Sequence, residues 1–276
     1  MNKWVLLSLL CLAACSNSKN SGPERLANGE AIINGANVEV GSDIEKATVA
    51  LVMVDADRTK SFCTGTLISK DLVVTAAHCV APLQSGYQVQ VSFGSETFSS
   101  KNEGELREIE RAYTYDMVNP RTYVEFRPID ELNDVAVIKL LTSAPKTAKP
   151  AAILGNPSWL FVGQEVILAG FGRTVENQNA MSKIMQTTRV KIAKLTGKLI
   201  EVDQTHGTGA CWGDSGGPAF IETDRGLLVV GATSGAAAGS QDCSHNVVYS
   251  SLPGFKEFLQ KVIPVLGGEA PVYIEE

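Results

Sequence analysis

Between residues 32 and 145 the apolar residues fall in short runs separated by turn-forming residues, and no other feature limits the chain as much. The runs are Thr48–Val54, Leu67–Ile68, Leu72–Thr75, Tyr87–Phe93 and Val135–Leu140, rich in Val, Ile, Thr, Tyr and Phe. Such side chains pack well on a pleated, half-buried surface. No helical period runs through them, so the pattern predicts an all-β fold of short strands. The second half continues it with Val166–Gly172, residues 184–194, Pro218–Glu222 and Leu227–Ser234, the last two joined by a turn at Asp224-Arg225-Gly226. Only beyond Leu252 does the period change. Phe255, Leu259, Val262 and Leu266 share one helical face, with Pro253 fitting a helix start and Pro264 a stop. A helix over about 253–263 is expected, then a loose tail over 267–276.

A length of 276 residues suits one large domain or two small ones. The net charge is −6 and no basic stripe is visible, which argues against nucleic acid as a partner. The N-terminus reads differently from the rest. Lys3 is followed by an apolar run from Trp4 to Ala14, too short to span a bilayer, which needs roughly 20 residues. It reads as a signal peptide over 1–14. Its end, Leu12-Ala13-Ala14-Cys15, resembles the lipobox of bacterial lipoproteins, in which the cysteine becomes the lipidated N-terminus. Residues 15–31 are then a lipidated cysteine and a polar, flexible tether.

The chemistry concentrates at residues 209–218, Gly-Ala-Cys-Trp-Gly-Asp-Ser-Gly-Gly-Pro. A serine between glycines on a tight loop is accessible to a substrate backbone. If the N–H groups of Gly213 and Ser215 converge on one point, they make an oxyanion hole. A serine hydroxyl is a weak nucleophile until a base takes its proton. The chain has three histidines, and one of them, His78, stands in Thr75-Ala76-Ala77-His78-Cys79. Asp134 begins the apolar run Val135–Leu140, where an unpaired carboxylate would be costly and a histidine would resolve the cost. His206 and His245 lie in polar, turn-like surroundings and read as surface or pocket-rim residues. No Cys/His cluster has metal-ligand spacing, so neither metal nor cofactor is expected.

Thr-Ala-Ala-His-Cys (75–79), Asn133-Asp134-Val135-Ala136-Val137-Ile138-Lys139-Leu140 and Gly-Asp-Ser-Gly-Gly-Pro (213–218) together resemble the trypsin/chymotrypsin-like serine proteases, in the order His, Asp, Ser. Ile32-Ile33-Asn34-Gly35 resembles that family's mature N-terminus. The resemblance implies two six-stranded antiparallel β-barrels and a C-terminal helix, within a peptidase domain over 32–266. Barrel one spans about 32–145 and barrel two about 146–251. It implies catalysis by His78, Asp134 and Ser215, with Gly213 and Ser215 as the oxyanion hole. Cys63, Cys79, Cys211 and Cys243 remain once the leader and Cys15 are set aside, and four cysteines allow three pairings. The resemblance selects Cys63–Cys79 and Cys211–Cys243. It places Gly209 at the bottom of the substrate pocket and Ser234, Ala236 and Val247 on its wall. A valine at 247, where glycine is usual, implies a preference for small or medium apolar side chains. The alternative is that Asp242 or another acid reaches the pocket and favours basic ones.

The family's activation step implies a cut before Ile32, whose new amine would pair with Asp214. Here Glu30-Ala31 precede that bond, where Arg or Lys is usual, and the nearest basic residue is Arg25. Such a cut would also free the domain from its anchor. The acidic residues of 94–131 do not have the spacing of a calcium-ligand set and read as solvated surface, although the family sometimes binds calcium nearby. The expected protein is thus an exported, envelope-anchored monomer on the periplasmic or outer surface, touching the membrane only through its lipid. Its partners are protein or peptide substrates and, if it is cut, an activating protease. A non-catalytic binding module on the same fold is the competing reading, against which stands the retention of all three triad residues. An esterase with this triad is less well served, because the alternating helices of that fold are missing from the pattern.

Overall fold

The computed structural model describes residues 32–54, 59–96, 105–118, 133–174, 181–237 and 242–275. The expected signal peptide, Cys15 and the tether lie outside the described residues, as does much of the acidic stretch 94–131.

The chain begins with β1 (Ala36–Asn37) and a short α1 (Asp43–Ala47). There follow β2 (Thr48–Val54), β3 (Thr59–Leu67), β4 (Leu72–Thr75), α2 (Ala77–Gln84), β5 (Val89–Ser92), β6 (Leu106–Thr114), α3 (Tyr115–Val118) and β7 (Ala136–Leu140). Strands β2-β3-β4-β7-β6-β5 close into a six-stranded barrel. Its interior is apolar because alternate residues point inward: Val49 and Leu51 from β2, Val73 from β4, Val91 from β5, Ile138 and Leu140 from β7.

The second half holds β8 (Ala152–Leu154), β9 (Glu165–Gly170), β10 (Gln186–Leu195), β11 (Leu199–Asp203), β12 (Pro218–Thr223), β13 (Gly226–Ala236), β14 (Val247–Ser251), α4 (Lys256–Leu266) and β15 (Tyr273–Ile274). Six of these strands form a closed antiparallel ring in the order β12-β9-β10-β11-β14-β13, sealed by the β12–β13 pairing. Strands β8 and β15 lie parallel beside β13, and β1 pairs with β10. Between the barrels sits a shared core. Val74 and Val137 from the first meet Ile167 and Phe220 from the second, and α4 covers the seam with Phe258, Leu259 and Val262.

Several expectations change. His78 and Cys79, just past the run Leu72–Thr75, lie on the first turn of a helix, α2, that the pattern does not announce. The C-terminal helix runs from Lys256 to Leu266, after a single 3-10 turn at Pro253–Phe255, and passes through Pro264 to end at Gly267, whose φ of 66° gives the left-handed cap. Pro264 sits in the last turn, so the helix ends soon after the hydrogen bond it removes. The tail is docked rather than loose. The Glu269 N–H donates to the Asp71 carboxylate of barrel one at 3.0 Å, and Tyr273 and Ile274 pair with β8.

Candidate active site

The strand register of barrel one assembles half of the site. Strands β4 and β7 are antiparallel, with Thr75 opposite Ala136. His78 comes three residues after Thr75 and Asp134 two before Ala136, so both emerge at the same end of that pair. The N-cap of helix α2 is Ala76, which offers no side-chain cap. The first N–H groups of a helix have no partner inside it. Asp134 supplies one: its Oδ1 accepts the His78 backbone N–H at 3.0 Å, while Oδ2 meets the imidazole Nδ1 at 2.9 Å. One carboxylate therefore caps the helix and orients the ring.

The rest of Asp134's shell comes from barrel two. Opposite Thr233 stands Tyr249 and opposite Gly235 stands Val248, so Ser234 is the extra residue of a β-bulge. Its hydroxyl donates to Asp134 Oδ2 at 2.7 Å, and the Ser250 hydroxyl donates to the Asp134 carbonyl at 2.8 Å. Burial alone would raise the Asp134 pKa, but the bonds from His78 and Ser234 hold it below the usual carboxylate range. Burial likewise works against charge on His78, yet the bond and charge of Asp134 raise its pKa above the ordinary imidazole value.

Ser215 sits on the loop between β11 and β12. Backbone bonds hold that loop in place: Gly216 N–H to Thr233 O at 2.7 Å, Gly217 N–H to Asp214 O at 2.8 Å and Thr64 N–H of barrel one to Ser215 O at 2.8 Å. The Thr64 hydroxyl donates to Gly213 O at 3.0 Å. Gly216 has φ of 77°, and a Cβ there would fall on the Thr75 hydroxyl and 2.5 Å from Thr64 O, so only glycine fits. The N–H groups of Gly213 and Ser215 donate to no other described residue.

Ser215 and His78 line one cavity of about 400 Å³, together with Ala210, Ser234, Ala236 and Val247. Trp212, 57% exposed, and Asp242 are also on its wall. Asp242 meets His245 Nδ1 at 2.6 Å and the Ser244 hydroxyl at 2.7 Å, and these contacts hold its pKa at about 2. Gly209 is not on the lining. Its N–H and C=O pair with Ile33, and the Gln204 side chain packs where its Cβ would stand. Its neighbour Ala210 is on the lining instead. Disulfides join Cys63 to Cys79 and Cys211 to Cys243. Cys63, His78 and Cys79 are close enough to share a metal, but two disulfide sulfurs are not thiolate ligands.

Ile32 is fully buried in the core of barrel two. Asp214 is buried as well. Its carboxylate accepts from Gly172 N–H at 2.8 Å and Cys211 N–H at 2.9 Å. Burial outweighs those two bonds and pushes its pKa up to about 7. Three contributors are not visible in the sequence. Thr64 carries no local signal. Ser234 is expected only as pocket wall, because the bulge that turns it toward Asp134 cannot be read from one strand. Gln204 looks like any polar residue after a strand.

The trypsin family matches residues 32–259. Brachyurin of Leptuca pugilator is 30% identical over 200 residues, covering 68% of this chain and 84% of that protein. A collagenase of Hypoderma lineatum is 28% identical over 277 residues, covering 94% and 97%, and a trypsin of Sarcophaga bullata 27% over 207, covering 72% and 78%. With two closed barrels, a serine loop and a histidine–aspartate pair between them, and a match that spans most of the sequence, the chain belongs to the trypsin family of serine endopeptidases.

Proposed function

We propose that Ser215 attacks the peptide carbonyl, that His78 takes its proton and later gives it to the leaving amine, and that Asp134 holds the ring and stabilises the imidazolium. The Gly213 and Ser215 N–H groups receive the oxyanion, and water resolves the acyl-enzyme. The observation that carries this reading is the single cavity lined by Ser215 and His78, with the imidazole bonded to Asp134 behind it. Labelling by a fluorophosphonate serine probe tests it: the wild-type protein should label and Ser215→Ala should not. An unlabelled wild type, before and after cleavage at Ile32, would move the binding-module reading to the front.

The preferred side chain before the scissile bond is small or medium and apolar. Ala210, Ala236 and Val247 on the cavity wall support this. Asp242 lies on the wall too, but it is partly exposed and already engaged by His245 and Ser244. A panel of peptides with Ala, Val, Phe or Arg at that position decides, and a strong Arg preference would overturn the apolar reading.

A cut before Ile32 completes the site by giving Asp214 a cationic partner. A buried carboxyl met by two N–H groups and, among the described residues, no cation, and an Ile32 already seated in the core of barrel two, support this. Burying a carboxylate without a counter-charge is costly, and an ammonium at hydrogen-bond distance offsets that cost. The chain is exported and held at the envelope through Cys15, as the lipobox and the two disulfides suggest. N-terminal sequencing of the active form distinguishes an enzyme that begins at Cys15 from one that begins at Ile32.

A further inference from the structure

We propose that Gln204 is the positioning residue of the substrate pocket, and that its carboxamide sets the spacing between the two walls that hold the substrate side chain. Gln204 follows β11 and is 1% exposed. Its Oε1 accepts the Ala210 N–H at 2.6 Å, and its Nε2 donates to Ala210 O at 3.1 Å. The side chain thus pairs with Ala210 as a strand residue would. The same Nε2 also reaches Cys243 O and His245 O, each at 3.3 Å. Ala210 and Cys243 both line the cavity, on segments far apart in sequence.

The Cys211–Cys243 disulfide ties the same two segments. It links them at one point, through bonds that rotate. The planar amide adds several fixed directions within the same short span. The residue type follows from the partners. Nε2 faces three carbonyl oxygens, so a donor is required, and a carboxylate in its place would face them with none. An asparagine is one methylene too short to touch both walls.

Gly209 belongs to the same device. A Cβ on Gly209 would coincide with the Gln204 side chain, so the glycine exists to let the amide lie against the backbone. On its other side Gly209 pairs with Ile33, and Asn34 donates to Gly207 O at 2.6 Å. Gln204 therefore stands between the N-terminal segment and the pocket, and passes the position of one to the other.

The inference rests on Ser215 being the nucleophile, and its test uses the form of the enzyme that labels with fluorophosphonate. That probe is small and reports the nucleophile, whereas KM across the Ala, Val, Phe and Arg peptides reports the pocket. Gln204→Ala should keep the labelling rate within about threefold, raise KM for the best peptide about tenfold or more and level the preference among the four. Gly209→Ala removes no hydrogen-bonding group, yet it should give the same pattern by displacing the amide. The double variant, with room for the new methyl, should lose clearly less than the sum of the two single effects, the excess over Gln204→Ala being only the backbone strain of an alanine at φ 157°, which is strong non-additivity for touching residues. Should Gln204→Ala fail to accumulate, Gly209→Ala carries the same expectation. An unchanged KM profile, an equal fall in labelling and kcat with KM constant, or additive single effects would each overturn the proposal. A parent enzyme that does not label would sink the nucleophile assignment along with it.

Discussion

The two barrels hold their halves of the site by different means. In barrel one, His78 and Asp134 hang from regular structure: a paired strand register and a helix start fix both. In barrel two, Ser215 lies on a loop held by single backbone bonds, by a buried carboxyl and by Thr64 from the opposite barrel. The base is placed by secondary structure and the nucleophile by tertiary contacts. A helix and a sheet resist displacement collectively, whereas a loop resists only as well as each of its bonds. Damage near His78 should therefore impair the chemistry, and damage near Ser215 should first loosen the loop.

The sharpest test of the comparison asks whether the two halves act as one unit. Ser215→Ala and His78→Ala should each lower kcat by about 10⁴–10⁶-fold, and the double variant should lose scarcely more. Additive losses, measured with a peptide substrate, would mean that the halves work separately. Asp134→Asn comes next, with an expected fall of about 10³–10⁴-fold. Asp134 raises the His78 pKa, so its loss lowers it, and the acid limb of the residual rate profile should move to lower pH. A limb that stays in place would show that the pair does not control the base.

The nucleophile half should show its own pH signature. In the uncut chain the folded Asp214 carboxyl has a pKa of about 7, above its unfolded value near 3.8. The folded state binds the extra proton between those values, so stability should fall as pH rises from about 4 to 7, by an amount on the order of a few kcal/mol. Asp214→Asn should flatten that slope, and a free amine at Ile32 should reverse the preference by pairing with the carboxylate. Denaturant midpoints taken across this pH range would reveal either outcome. The smallest effect belongs to Thr64→Val. It removes the bond to Gly213 O and the acceptor for Phe171 N–H, and should cost about 1–3 kcal/mol in stability. If the contrast between the halves holds, kcat falls while the His78 limb of the pH profile stays where it was.

Legibility in the sequence follows the same division. Strands β2, β4 and β7 are readable because their apolar runs are compact. Strand β6 is not, because Leu106–Thr114 carries charges on its exposed face and sits in an acidic stretch. Helix α2 is hidden because its sequence is weakly amphipathic, contains Pro82, and takes its cap from Asp134, 56 residues away. The motif residues are visible as a resemblance, but their shell is not. Thr64, Gln204 and the bulge at Ser234 act through partners that no local pattern announces. Gly209 is expected at the pocket bottom by counting back from Ser215, and counting cannot show that Gln204 fills the space beside it.

The docked tail bears on how the molecule moves. Its Glu269 N–H is fastened to barrel one and its residues 273 and 274 to the sheet of barrel two, on either side of the line where the barrels meet. Thr64 and Ser215 fasten the same line from within. A boundary sewn at both faces is a seam, not a hinge. Substrate is then expected to meet two walls that do not part, and any viscosity dependence of the rate should be that of substrate and product diffusion, since no jaw has to open.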